Sequence, residues 1–153
     1  MSTIDERLAE LGITLPTVVP PVAVYIPAVV SGNLVYTSGQ LPMVDGALPA
    51  AGKLGAEVSD EQGKALARQC ALNGLAAVAS VIGSLDRVTR IVKVVGFVAS
   101  DPSFTGQPGV INGASEVLGE IFGDAGVHAR SAVGVAVLPL NSPVEVELVV
   151  EFA

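Results

Sequence analysis

The chain has 153 residues, of which half are apolar and 15% are charged, and its net charge at pH 7 is −7. This apolar content suffices for one hydrophobic core, so we predict a single domain over residues 1–153. Eight basic residues in an acidic chain argue against a nucleic-acid partner, because phosphate binding needs clustered lysine and arginine. So few charges also predict that part of the surface is buried in an oligomer.

A single cysteine, Cys70, and a single histidine, His128, limit the chemistry further. One cysteine excludes an internal disulfide and fits a reducing compartment, so we expect a cytoplasmic protein. The usual histidine and cysteine zinc site cannot be assembled from one of each, and we predict no metal. The acidic N-terminus does not resemble a signal peptide. The apolar stretch 18–30 contains three prolines and is too short to cross a bilayer, so no membrane partner is expected.

The first 55 residues predict a short helix, a β-hairpin and a loop. The helix covers Thr3 to Leu11 within an N-terminal extension of residues 1–19. The prolines between Pro16 and Pro27 allow only an extended loop or an edge strand, because each removes a backbone donor. A Ser-Gly-Asn turn signal then leads into a strand over Leu34–Gln40, which completes the hairpin. Pro42 to Gly55 is typical of a surface loop.

Two helices and a central strand follow. Ser59 and Gln62 form a capping-box pattern that starts a helix over Asp60–Ile82. The nearly continuous apolar run from Val88 to Ala99 predicts a central strand. A second helix is predicted over Asn112–Phe122, shortened by its glycines.

The C-terminal segment contains two further strand patterns, which we predict to form a hairpin. Arg130 opens the first, and the second, Val144 to Phe152, alternates apolar residues with glutamates such as Glu145. Charged residues near the ends of an otherwise apolar hairpin occupy positions that normally reject charge. A solvated glutamate face on an edge strand is the alternative explanation. The order β-β-α-β-α-β-β predicts an α+β fold, with a mixed sheet and two helices packed on one face.

Three ordered blocks of sequence resemble one known family. Arg-Ser-x-Val-x-Val-x-x-Leu-Pro from Arg130, followed by Val-Glu-Val-Glu from Val144, is similar to the closing signature of the RidA (YjgF) family. Upstream, Ser38-Gly39-Gln40-Leu41-Pro42 resembles the family's Ser-Gly-Gln-Ile/Leu-Pro motif, and Tyr25 and Asn73 also match. Phe104 and Asn112 match the run before the second helix. The resemblance covers about residues 20 to 153 and implies a chorismate mutase-like fold and a homotrimer with clefts between subunits.

The resemblance also implies an activity, the hydrolytic deamination of small 2-enamino or 2-imino acids to 2-keto acids and ammonia, without a cofactor. Arg130 would bind the substrate carboxylate, for which the arginine fork is suited. Glu145 would position the attacking water and manage its proton. The other residues implied to contact the substrate are Tyr25, Ser38, Gly39 and Asn112. Pairing of Arg130 with a core glutamate, and turn or wall packing for Ser38 and Tyr25, are the structural alternatives.

Some residues depart from the common family pattern. Ala132 stands where many members have cysteine, His128 stands where many have proline, and the loop Val44 to Glu57 is long, as in a longer subgroup. His128 is interpreted as an exposed loop residue or a residue at the cleft rim. The competing function is a non-catalytic trimer that binds a small carboxylate or acts as a regulatory module. Ribonuclease or translation-inhibitor activity is disfavoured by the acidic charge.

Overall fold

The described residues form a five-stranded mixed sheet that is covered on one face by two long helices. The computed structural model describes residues 3–18 and 24–153. The helices are α1 (Ile4–Glu10), α2 (Asp60–Ile82) and α3 (Gln107–Phe122). The strands are β1 (Ala28–Ser31), β2 (Leu34–Thr37), β3 (Val88–Ala99), β4 (Ala129–Val135) and β5 (Val144–Phe152). The predicted α+β class and the order of its elements are confirmed.

Local signals placed most of the elements correctly. Thr3 and Ser59 each cap a helix with a complete capping box, so the predicted starts of α1 and α2 are confirmed. The start of α3 was predicted too late, because the helix already begins at Gln107, where Pro108 fits the first turn. Strand β1 begins directly after Pro27, and residues 19–23 of the proline-rich stretch lie outside the described residues.

The sheet has the strand order β1-β2-β5-β3-β4, so the predicted C-terminal hairpin is wrong. Strand β4 pairs in parallel with β3, whereas β5 pairs antiparallel with the other edge of β3 and with β2. The eight residues between β4 and β5 exceed the two to five of a tight hairpin loop, so they can pass across the end of β3. Because β5 is an interior strand, the alternative of a glutamate face on an edge strand is also wrong.

The two faces of the sheet differ sharply. The alternate residues Val144, Val146, Leu148 and Val150 of β5 are buried beneath α2 and α3. On the opposite, open face, Val29, Tyr36 and Val133 are each between 44% and 50% exposed. A sheet face with apolar residues this exposed is typical of a surface that another protein chain covers.

Helix α2 is the central packing element of the helical layer. A Cβ on Gly113 of α3 would lie 1.9 Å from the Lys64 carbonyl oxygen of α2, so only glycine permits this close crossing. Helix α2 is also long and apolar enough to span a bilayer, but 67% of its most apolar window is buried within the fold. Its apolar character is therefore explained by packing on the sheet. Cys70 lies on its buried side, as predicted.

Candidate functional site

Arg130 projects from β4 toward helix α3. The strand is at the edge of the sheet and half-exposed, not buried as the sequence suggested, and Arg130 is half-buried. Its Nη1 donates to Asn112 Oδ1 at 2.7 Å and to Ser115 Oγ at 3.2 Å. Asn112 and Ser115 lie three residues apart on α3, on one helix face. The predicted partners Arg130 and Asn112 are thus brought together.

The other edge of the Arg130 guanidinium carries no hydrogen bond from the part of the chain that the structure describes. Within residues 3–18 and 24–153, neither Nε nor Nη2 of Arg130 has a hydrogen-bond acceptor, and no carboxylate lies within ion-pair distance. The alternative in which Arg130 pairs with a core glutamate is therefore wrong. Two neutral oxygens hold one nitrogen, and the Nε and Nη2 edge keeps the parallel N–H geometry that binds a carboxylate bidentately.

Ser115 and His128 extend this cluster, and sequence reasoning missed both roles. Ser115 Oγ lies 2.9 Å from His128 Nε2, and His128 Nδ1 lies 2.6 Å from the Gly126 carbonyl oxygen. His128 is half-buried, so its interpretation as an exposed loop residue is wrong. The available signal was the spacing, since Ser115 follows Asn112 by three residues and His128 precedes Arg130 by two.

Glu145 lies on the open face of the sheet, beside Gly39. A Cβ on Gly39 would lie 2.7 Å from the Glu145 carboxyl carbon, so a larger residue here would require the Glu145 side chain to move. Partial burial, and secondarily the negative charge of Glu147, raise the pKa of Glu145. A carboxyl group in this setting takes up a proton more readily than an ordinary surface glutamate.

Ser38 and Tyr25 border a cleft whose lining does not include Arg130. Ser38 Oγ donates to the Ile26 carbonyl at 2.6 Å, which ties the end of β2 to the segment before β1. Tyr25 is 60% exposed. Together with Gly39 and residues of α2 that include Asn73, they line a cleft of about 810 Å³. Asn73 itself is structural, because its Nδ2 donates to the carbonyls of Leu41 and Met43.

The two charged residues do not converge within one chain. Arg130 is in register with Val94, whose side chain faces the helices, whereas Glu145 is in register with Phe97 and Val133 on the open face. The two positions are separated by two strand spacings across the sheet and three residues along it, about 14 Å between Cα atoms. Their side chains also point to opposite faces. One small substrate cannot contact both residues of the same subunit.

The fold and these residues match a known family. The family model described as "YjgF/chorismate mutase-like, putative endoribonuclease" matches residues 5–152. The chain belongs to the YjgF family. This membership confirms the resemblance carried by the Ser38 and Arg130 motifs, and the chorismate mutase-like fold with it.

Individual YjgF-family relatives are similar to this chain over nearly its full length. Protein TCP17 of Trypanosoma cruzi is 46% identical over 146 residues, which is 95% of this chain and 91% of that protein. The crystal structure of Atu1372 from Agrobacterium tumefaciens, a protein of unknown function, is 45% identical with a TM-score of 0.92 and covers 98% of this chain and 92% of its own. The structure of Escherichia coli TdcF with bound serine is 26% identical, with a TM-score of 0.62 over 91% of this chain and 94% of TdcF.

Proposed function

We propose that the protein is a RidA-like hydrolytic deaminase, which converts small 2-imino and 2-enamino acids to 2-keto acids and ammonia. The reaction takes place in clefts between the subunits of a homotrimer in the cytoplasm. Water adds to the imine carbon, its protons pass to the nitrogen, the C–N bond breaks and ammonia leaves. No metal or organic cofactor takes part, since the imine carbon is already electrophilic.

The observation that carries the proposal is the unsatisfied edge of Arg130. A half-buried guanidinium with one nitrogen anchored to neutral oxygens, and with no carboxylate partner among the described residues, is prepared for an anionic ligand. Hydrogen bonds to a charged group contribute about 1.5–3 kcal/mol each, which is enough to select a carboxylate over a neutral group. The serine bound to the relative TdcF is itself a small amino acid with a carboxylate.

Glu145 supplies the acid–base function in this proposal. Hydrolysis needs a water molecule about 3 Å from the imine carbon and a group that accepts and returns its proton. The raised pKa of Glu145 suits both steps, because the side chain then exchanges protons closer to neutral pH. Gly39 beside it leaves room for the carboxyl group, which a larger residue would displace from this position.

The separation of Arg130 and Glu145 determines the assembly that this function needs. Because the two side chains leave opposite faces of the sheet, one substrate can contact both only if Arg130 comes from one subunit and Glu145 from another. The exposed apolar residues of the open face that carries Glu145 offer a surface for such a contact. Tyr25, Ser38 and Asn112 would complete the walls of the shared cleft.

The decisive experiment couples this protein to an enzyme that generates 2-aminoacrylate or a longer imino acid. We expect the imine to decay faster when the protein is added, with stoichiometric keto acid and ammonia. Tight keto-acid binding without acceleration would identify a carboxylate-binding protein instead. Cleavage of RNA under the same conditions would contradict the proposal, and the net charge of −7 makes it unexpected.

Assembly is tested separately by light scattering. Homotrimers are typical of the family, and we expect a mass of three 15.4 kDa chains at micromolar concentration. A stable monomer would contradict the shared cleft.

A further inference from the structure

Arg130 stands at one end of a chain of hydrogen bonds. With a neutral His128 ring, the donor and acceptor of each bond follow from the group at the other end of the chain. At the other end, the Gly126 carbonyl can only accept, so His128 Nδ1 carries the proton and donates. In the neutral ring, Nε2 then holds a lone pair and accepts from the Ser115 hydroxyl. The oxygen of Ser115 is left as an acceptor for Arg130 Nη1.

His128 matters because a serine within a helix has a competing partner. A helical serine hydroxyl commonly donates to a carbonyl one turn earlier, which for Ser115 belongs to Ile111. By accepting a hydrogen bond from the Ser115 hydroxyl, His128 directs that hydroxyl away from the helix. The lone pairs of the Ser115 oxygen then face the guanidinium. Ser115 and Asn112 then hold the same nitrogen of Arg130 from two positions on α3.

We propose that Ser115 and His128 are positioning residues, which orient Arg130 so that its Nε and Nη2 edge faces the substrate carboxylate. Neither residue touches the substrate. The consequence for binding rests on the proposed function, whereas the orientation of Arg130 is a property of the unliganded protein. The two parts can therefore be tested independently.

The first test uses nitrogen-15 NMR of the trimer without ligand. The neutral His128 ring should be in the Nδ1–H form, and the Arg130 guanidinium should rotate slowly about its Nε–Cζ bond. Replacing the hydroxyl in Ser115→Ala, or the acceptor in His128→Phe, should speed this rotation. Unchanged Arg130 signals in both variants would overturn the inference, whether or not the protein is a deaminase.

The second test measures 2-oxobutanoate binding by calorimetry. Each single variant should bind about tenfold more weakly, and the double variant should bind no more weakly than Ser115→Ala, because the two residues act in series. His128→Gln, which keeps an acceptor for Ser115, should recover most of the affinity. The matched control is Ser80→Ala, since Ser80 is a helical serine that donates to its own helix at Ala77.

The outcomes separate the two proposals. Additive losses of affinity in the double variant, or losses equal to that of Ser80→Ala, would show that Ser115 and His128 act only through packing. Either result would overturn the proposal that they position Arg130. If the wild-type protein binds no keto acid but the NMR results hold, the proposed function fails while the orientation of Arg130 stands.

Discussion

Arg130 and Glu145 carry opposite charges on opposite faces of one sheet, and the side chains around them differ. Arg130 is held by neutral oxygens from α3 and has no anion within the described chain. Glu145 lies beside Gly39 and another carboxylate, Glu147, and no described cation lies within ion-pair distance of it. Each group therefore lacks an oppositely charged partner among the described residues, and each could serve as that partner for the other.

This comparison indicates that the subunit is electrostatically incomplete by itself. Burying a charge is costly unless it is paired, so two separate, half-buried, opposite charges favour contact with another molecule. A small zwitterionic or anionic substrate between two subunits would satisfy Arg130 directly and bring Glu145 close to the reacting carbon.

The largest expected effect is on turnover in Glu145→Gln. The substitution keeps the size of the side chain but removes the carboxylate that accepts the proton of water in the proposed reaction, so imine decay should slow by roughly 10²–10⁴. Binding of the keto-acid product should persist. Glu147→Gln is the matched control and should keep activity within a few-fold. Full activity in Glu145→Gln would exclude Glu145 from catalysis.

Arg130→Ala should weaken 2-keto acid binding by about 10²-fold, because two charge-assisted hydrogen bonds are lost. The trimer should remain folded, since Arg130 supports no ion pair in the described chain. Calorimetry measures the affinity, and Arg90→Ala, which alters an exposed arginine of β3, is the control. Unchanged affinity would mean that Arg130 has only a structural role.

Mixed trimers test whether the two residues meet across a subunit boundary. Chains carrying Arg130→Ala and chains carrying Glu145→Gln, each inactive alone, are unfolded and refolded together in equal amounts. About a quarter of the clefts should then combine an intact Arg130 with an intact Glu145 from its neighbour, and activity should return to about that level. No recovery from fully mixed trimers would place both residues of one site in the same chain.

The smallest effect concerns stability and pH. Because the folded pKa of Glu145 lies above its unfolded value, this group favours folding only while protonated, and that contribution is lost as pH rises through the folded pKa. Glu145→Gln should therefore melt slightly higher than wild type at pH 7, and the difference between the two melting temperatures should close in acid. In the proposed shared cleft, Arg130 of another subunit would oppose this rise in the pKa of Glu145, so the difference in melting temperature should widen in an Arg130→Ala background. A lower melting temperature at pH 7 would contradict this account.

The sequence predicted those elements whose signals are local. Capping boxes, prolines and glycines act within one turn of the chain, and they located α1, α2 and the first hairpin closely. The pairing of β4 depended instead on competition among strands far apart in sequence. Strand β3 has two edges to fill, and periodicity does not specify which strands fill them.

For the candidate site, the family motifs identified the charged residues but not their relation in space. That Arg130 and Glu145 point to opposite faces follows from the register of three strands, which alternation within each strand does not reveal. Ser115 and His128 were missed because neither belongs to the motifs, and their roles appear only when α3 packs beside β4.

The central place of β5 has a consequence for the synthesis of the protein. This strand is the last of the five to leave the ribosome, yet it joins the β1–β2 hairpin to β3. Until it arrives, the nascent chain holds two sheet fragments with unpaired edges at β2 and β3, and such edges promote aggregation. Nascent chains of this protein should therefore depend on chaperones most strongly just before β5 is translated.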